Sequence, residues 1–328
     1  MIVDRIMEKI FIVIPNWNGA DFIAPCLKSL KKQSINAQVV VVDNGSVDES
    51  VAIIESDFPE VHLIKLDHNT GFAGGVNTGI SYAIDQGAKL VALFNNDAIA
   101  DKDWLKNLVS AAREHSEAGI ITGKFMRMDK KHIDSTGDFY SVWAMPFPRG
   151  RNHVDKGQYD TAEYVFGASG GASLYRASML EKIGLFDEEF FAYLEDVDIS
   201  YRAQLAGWKV WYEPSAVAYH MVGGTSSKLG SFSRYHFTKN FYMTYAKNMP
   251  ARLYWKYGPR FIVQAARMLI TSVLKGGGWA YIRGVARAFA NTPHLIRERR
   301  RIQSSKTVSN EYIDSLLYKS RPPKIPNL

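Results

Sequence analysis

The first 123 residues repeat one pattern: a short uninterrupted apolar run, a polar cluster, then a stretch with apolar residues at helical spacing. The runs are residues 10–14 (IFIVI), 38–42 (QVVVV), 61–66, 89–94 (KLVALF) and 118–122. Each is too short for a buried helix and is bounded by turn residues, so each reads as a buried strand. Between them, Phe22, Ile23, Leu27 and Leu30 mark a helix over 21–33, and Gly74–Gln86 and a stretch ending at His115 mark two more. Ser46 is expected to cap a helix through Ile54 with Glu49 as its capping-box partner, and Asp101 to cap the one through His115. Strands alternating with helices imply an α/β fold with a mostly parallel sheet flanked by helices.

Ligands of such sheets bind beyond the carboxyl ends of the strands. Pro15–Asn16, Asp43–Asn44–Gly45–Ser46 and Asn95–Asn96–Asp97 all fall there. Asn-Asn-Asp can hold a hard cation together with phosphate oxygens, and it is equally good turn chemistry. Asp43 can accept hydrogen bonds from a base or ribose, or cap the next helix. The glycine-dense GFAGGVNTG (71–79) would let backbone approach a ligand closely, yet its spacing is neither that of a dinucleotide fingerprint nor of a P-loop.

The second half is read more coarsely. Residues 124–163 look irregular, an insertion or acceptor-side loop, and 164–175 a glycine-rich turn leading into a strand. Residues 195–206 form a helix closed by Gly207, and 208–212 a further strand. Glu195, Asp196 and Asp198 open that helix. Acids there favour the helix dipole, but two adjacent carboxylates also raise one another's proton affinity, which suits a general base. His220 stands before Gly-Gly-Thr-Ser, a polar loop.

The one cysteine, Cys26, excludes an intramolecular disulfide and is read as a small core residue in a reducing compartment. The opening MIVDRIMEKIFIVIP is read as a first strand and not a signal peptide, and no membrane-spanning helix is expected. The net charge of +7 divides unevenly: from Lys228 onward 19 Lys and Arg face 3 Asp and Glu, while the remainder is acidic.

Taken in order, IVIPNWNG (12–19), VVDNGSVD (41–48), NTGFAGGVNTGI (69–80), LFNNDA (93–98), the run from Gly167 to Pro214 and HMVGGTS (220–226) resemble the family-2 glycosyltransferases, notably their rhamnosyltransferase-like branch. The likeness covers roughly the first 245 residues. It implies the Rossmann-like GT-A fold over residues 1–230, with a nucleotide-binding half (1–123) and an acceptor-side half (124–230), followed by a basic helical appendage (231–328). By the same resemblance Pro15, Asn16, Asn18, Asp43, Asn44, Ser46, Gly71, Phe72, Asn77, Asn95 and Asn96 would hold the nucleotide-sugar, with Ser169, Gly170 and Gly171 near the transferred sugar. Asp97, in the place of the family's D-x-D motif, and His220 would bind Mg²⁺ or Mn²⁺. The motif's first acid is replaced by asparagine here. Asp196 would be the catalytic base, with Glu195 the second choice. The implied reaction is inverting transfer, with rhamnose the favoured sugar, to a glycan or lipid-linked acceptor in cell-surface polysaccharide synthesis.

In the basic region, residues 258–275 put Arg260, Gln264, Arg267, Thr271 and Lys275 on a narrow stripe of an otherwise apolar helix, and 281–290 resume the pattern after Gly276–Gly278. This reads as an interfacial hairpin on an anionic membrane, placing the protein in the cytoplasm on the inner face. The alternative is a helical subdomain packed on the catalytic domain or on a second subunit, making a homo-oligomer. Nucleic acid is not the expected partner. Competing functions are a nucleotidyltransferase, which would need a basic glycine-rich loop where PNWNGA (15–20) has no Lys or Arg, and a nucleotide-sugar-binding scaffold without turnover.

Overall fold

Along β1 (Ile10–Asn16) every residue is apolar until Pro15 because both faces of the strand are covered: Ile10, Ile12 and Ile14 enter one core cluster, Phe11 and Val13 another. The structure is a computed structural model that describes residues 8–221 and 230–323. The first seven residues of the expected first strand and Gly223–Ser226 of the expected polar loop lie outside them.

After β1 come α1 (Ala20–Leu30), β2 (Gln38–Asp43), α2 (Ser50–Asp57), β3 (His62–Lys65), α3 (Gly71–Asp85), β4 (Leu90–Phe94), β5 (Ala98–Ala100), α4 (Trp104–Glu114) and β6 (Ala118–Arg127). Then follow β7 (Ile133–Ser135), β8 (Asp138–Tyr140), β9 (Pro146–Pro148), β10 (Glu163–Val165), β11 (Ala172–Arg176), α5 (Ala177–Ile183), α6 (Glu195–Leu205) and β12 (Lys209–His220). The main sheet has the order β10-β12-β6-β11-β4-β1-β2-β3, with β5 on β12 and β7 on β6. Pairing is parallel through β4-β1-β2-β3 and between β6 and β12, and antiparallel where β11 sits between β4 and β6. Cys26 is buried in the first cluster.

Several expected boundaries move. Ser46 does not cap α2, which starts at Ser50; its hydroxyl instead accepts from the Asn18 amide at 2.9 Å, and Glu49 holds the N-terminal position through its carbonyl alone. Asp101 is replaced by Asp103 before α4, and the Asp101 carbonyl takes the Trp104 amide. The helix expected from Gly74 starts three residues earlier, at Gly71, so the glycine-dense stretch forms its first turns. Residues 124–163 are ordered into the end of β6 and β7 to β9; three-residue strands carry no periodicity from which to read them. The strand expected to stop at 212 runs to His220, passing Pro214 by a register shift between Glu213 and Val217.

The C-terminal region is helical: α7 (Gly230–Asn248), α8 (Ala251–Leu274), α9 (Gly278–Ala290), α10 (Thr292–Ser304) and α11 (Asn310–Leu316). Its aromatics Phe237, Phe241 and Tyr245 join Tyr140, Phe190, Leu194 and Tyr201 in a third core cluster, so these helices close over α6 and the loop before it. Charge reinforces the packing. Lys247, fully buried, lies 2.5 Å from Asp187 and 2.9 Å from Asp198, and Asp198 also pairs with Arg202 at 2.8 Å.

Candidate active site

Parallel register sets Asn16 beside Asp43 at the carboxyl ends of β1 and β2. The Asn16 amide donates to Asp43 (2.9 Å) and Ser50 (3.0 Å) and accepts from Asn96 (2.8 Å), while Asp43 accepts from the Ser46 amide (3.0 Å). Asn18 closes the same corner by accepting from the Val47 amide at 2.9 Å. Next along the edge, the Asn95 amide donates to the Gly171 carbonyl, and the Gly170 amide to Asp196 Oδ2 at 3.1 Å. A continuous run of hydrogen bonds thus joins the ends of β1, β2 and β4 to the start of α6. Ser169 flanks that run, its main chain accepting from Ser173 at 2.7 Å. Pro15 stands one residue inside β1, where its side chain approaches Gly75 of α3.

Asp97 and His220 meet because β12 pairs with β5: His220 lies opposite Ala98, and Asp97 Oδ1 comes to 3.3 Å from His220 Nε2. On the ring's other nitrogen, Asp134 Oδ2 stands at 3.0 Å, and Phe125 stacks on the ring with centroids 4.8 Å apart. Arg151 pairs with Asp134 at 3.0 Å. Burial alone would lower the His220 pKa, but Asp134 and Asp97 outweigh it and lift it to about 9. Among the described residues no three or more His, Cys, Asp or Glu side chains assemble a cation site by themselves. A nitrogen and a carboxylate converging at a strand end still fit a divalent cation that takes its other ligands from a diphosphate.

Asp196 is oriented by two amides, Gly170 on Oδ2 and Val197 on Oδ1 at 2.8 Å. Burial raises its pKa, and those amides oppose the rise. The Glu195 carboxyl is pushed well above its ordinary value by burial first and then by the Asp196 charge, and its Oε2 has no hydrogen-bond partner among the described residues. Of the two, only Asp196 has both carboxylate oxygens held by backbone amides.

The backbone entering α6 is strained. Phe191, Tyr193 and Leu194 hold φ of 64°, 70° and 66°, the left-handed region that side chains disfavour. Asn240 of α7 shares its amide among the carbonyls of Phe190 (3.0 Å), Ala192 (2.9 Å) and Tyr193 (2.6 Å), and Lys239 reaches the carbonyls of Glu189 and Phe190. The Phe191 carbonyl accepts from Ala73, and a side chain at Gly71 (φ 77°) would meet that oxygen at 2.4 Å. Phe72, beside it, lies against Gly170.

Two expected nucleotide contacts are committed elsewhere. Asn44 donates to the Gly71 carbonyl and accepts from Thr70, which sets the start of α3. Asn77 exchanges both ends of its amide with the Phe186 backbone and reaches Glu188, 3.0 Å away. Asp134, Arg151 and Asn240 escaped sequence reading because no motif surrounds them. Asp138 did too: buried on β8, where it exchanges backbone bonds with Gly167, it is pushed up to about 7 by burial and by the charge of Asp196.

A mixed sheet of this order, with polar side chains gathered at its strand ends and an acid at the following helix, defines a glycosyltransferase of GT-A fold. The chain belongs to glycosyl transferase family 2, whose model matches residues 11–184. It is 28% identical over 235 residues to the dTDP-rhamnosyl transferase RfbF of Shigella flexneri, covering 68% of this chain and 74% of that protein. It is 31% identical over 208 residues to the N-acetylglucosaminyl-diphospho-decaprenol L-rhamnosyltransferase of Mycobacterium tuberculosis, covering 56% and 66%. Among solved structures, S. aureus TarS 1–349 superposes with a TM-score of 0.56 at 17% identity, covering 94% of this chain and 92% of that one. The mannosyltransferase PcManGT of Pyrobaculum calidifontis, in complex with GDP-Man and Mn²⁺, gives 0.54 at 16%, covering 94% and 85%.

Proposed function

We propose that this glycosyltransferase moves a sugar, rhamnose first among candidates, with inversion from a nucleotide-diphosphate donor to a hydroxyl of a glycan or lipid-linked acceptor. It would act in cell-surface polysaccharide synthesis at the inner face of the membrane. The observation that carries this reading is Asp196: a half-buried carboxylate held by two backbone amides, one of them from the glycine segment 169–171, whose Gly171 carbonyl accepts from Asn95 at the end of β4. Rhamnose is favoured because two relatives carry it in their names.

In the proposed step Asp196 removes the proton of the acceptor hydroxyl. The freed oxygen bonds to the anomeric carbon as the bond to the diphosphate oxygen breaks on the opposite face, so the configuration inverts. Asp43, Asn16 and Ser46 would position the nucleoside. Asp97 and His220 would hold Mg²⁺ or Mn²⁺, which when bound neutralises charge on the diphosphate.

The test is a panel of nucleotide-sugars with purified protein and Mn²⁺ or Mg²⁺, read by thermal stabilisation and by slow donor hydrolysis. One donor, dTDP-rhamnose foremost, is expected to raise Tm and to be cleaved. Stabilisation without any cleavage or transfer would favour a scaffold; no effect from any nucleotide-sugar would overturn the reading.

A further inference from the structure

The large apolar side chains left exposed are not scattered. Eleven of the sixteen among the described residues fall between 255 and 296. On α8 and α9 they line one face each, and the most exposed are Leu274 (81%), Trp255 (79%) and Trp279 (71%). The fold does not need this face, because α8 is already fastened by the opposite side through Leu253, Tyr257, Gln264 and Ser272. A contiguous apolar surface of this kind on a folded chain marks a contact with something else.

Beneath the face, α7, α8, α9 and α10 enclose a groove of about 480 Å³ walled by Tyr242, Tyr245, Tyr254 and Phe261. Trp255, Phe289 and Ile296 belong both to its lining and to the exposed set, so it opens onto the face. Arg299 lies in it, donating to the carbonyls of Ala246 (2.7 Å) and Met249 (2.8 Å) and resting over the Tyr254 ring.

Charge identifies the occupant. The three acids of this region are used internally: Glu298 with Arg301, Glu311 with Arg252, Asp314 with Lys256 and Lys319. Arg260, Arg267, Arg283 and Arg299 have no carboxylate partner among the described residues; Arg260 and Arg283 lie over tyrosine rings instead. A broad apolar face edged by unneutralised guanidinium groups matches hydrocarbon beneath anionic headgroups. A second copy would bring the same positive surplus against itself.

We propose that the outward face of the α8–α9 hairpin lies on the anionic surface of a lipid bilayer, and that the aromatic groove takes up one hydrocarbon chain of a bilayer lipid. This deepens the reading of the enzyme as one acting at a membrane, and its test needs neither donor nor acceptor.

The full chain is floated with phosphatidylcholine vesicles with and without phosphatidylglycerol. Binding to the anionic vesicles is expected, and a drop of about 10-fold or more in partitioning for the double variant Leu274→Asp/Trp279→Asp. Both positions are exposed, so the variant folds, which its circular dichroism and thermal melt check. A phosphatidylglycerol with a photoreactive acyl chain is expected to cross-link to the groove walls around Tyr254 and Phe261. Absence of anionic-vesicle binding, equal binding by the variant, or cross-links that miss the groove would overturn the proposal. So would a lipid-free dimer that the same substitutions dissociate, since a second copy would then cover the face. Vesicle binding without glycosyl transfer would leave this inference standing and remove the catalytic one.

Discussion

Asp134 Oδ2 stands 3.0 Å from His220 Nδ1, on the side of the ring away from Asp97. It is buried on β7 and backed by Arg151, so it fixes which nitrogen of His220 faces Asp97. Asp134→Asn should weaken Mn²⁺ binding about 10–100-fold, measured by calorimetry on the donor-free protein or with nucleoside diphosphate present. Asp97→Asn should weaken it further. Unchanged affinity in both would remove the cation from this corner.

Asp196→Asn should keep donor binding and lose turnover by about 10²–10⁴-fold. Glu195→Gln, which keeps the side chain's shape, should cost far less. Steady-state kinetics of both variants separate the two carboxylates; near-normal turnover by Asp196→Asn with binding intact would reject it as the base.

Asn240→Ala strips the shared donor from three carbonyls of a loop held at positive φ. Urea denaturation should show a loss of about 1–3 kcal/mol. Turnover should fall as well, because the same loop aims Asp196, and a stable variant with full activity would dissociate α7 from catalysis.

Asp138 gives a pH test. Its folded pKa, about 7, lies above the ordinary carboxylate value, so the unfolded chain releases the proton first as pH rises. Stability from this group is therefore full below the ordinary carboxylate range, declines through the interval up to about 7, and is flat above. Asp138→Asn has no such slope. Its Tm relative to wild type should climb between about pH 4 and about pH 7 and level off above; a constant difference would show that burial and the Asp196 charge do not raise the Asp138 carboxyl.

Lys247→Met would leave Asp187 and Asp198 buried without their shared cation. A loss of about 3–5 kcal/mol is expected in denaturant melts, compared with near-neutral effects at an exposed pair such as Arg252–Glu311.

Sequence alone determined the alternating half of the molecule and the polar strand ends, since a strand covered on both faces must be apolar throughout and the residue that ends it must be polar. IFIVI, QVVVV and KLVALF announced β1, β2 and β4 directly, and the acids at 195–196 announced a helix start. Tertiary structure decided what is long-range. Only the pairing of β12 with β5 and β6 brings His220 to Asp97, and only β7 folded back on β6 brings Asp134 behind it. Asn44 and Asn77 show the limit from the other side: both stand in motifs, yet each amide is spent on backbone groups elsewhere. The basic helices could be foreseen as helices, but not that Asn240 would hold the loop before α6, because hydrophobic periodicity reports a helix's faces and not what each face will meet.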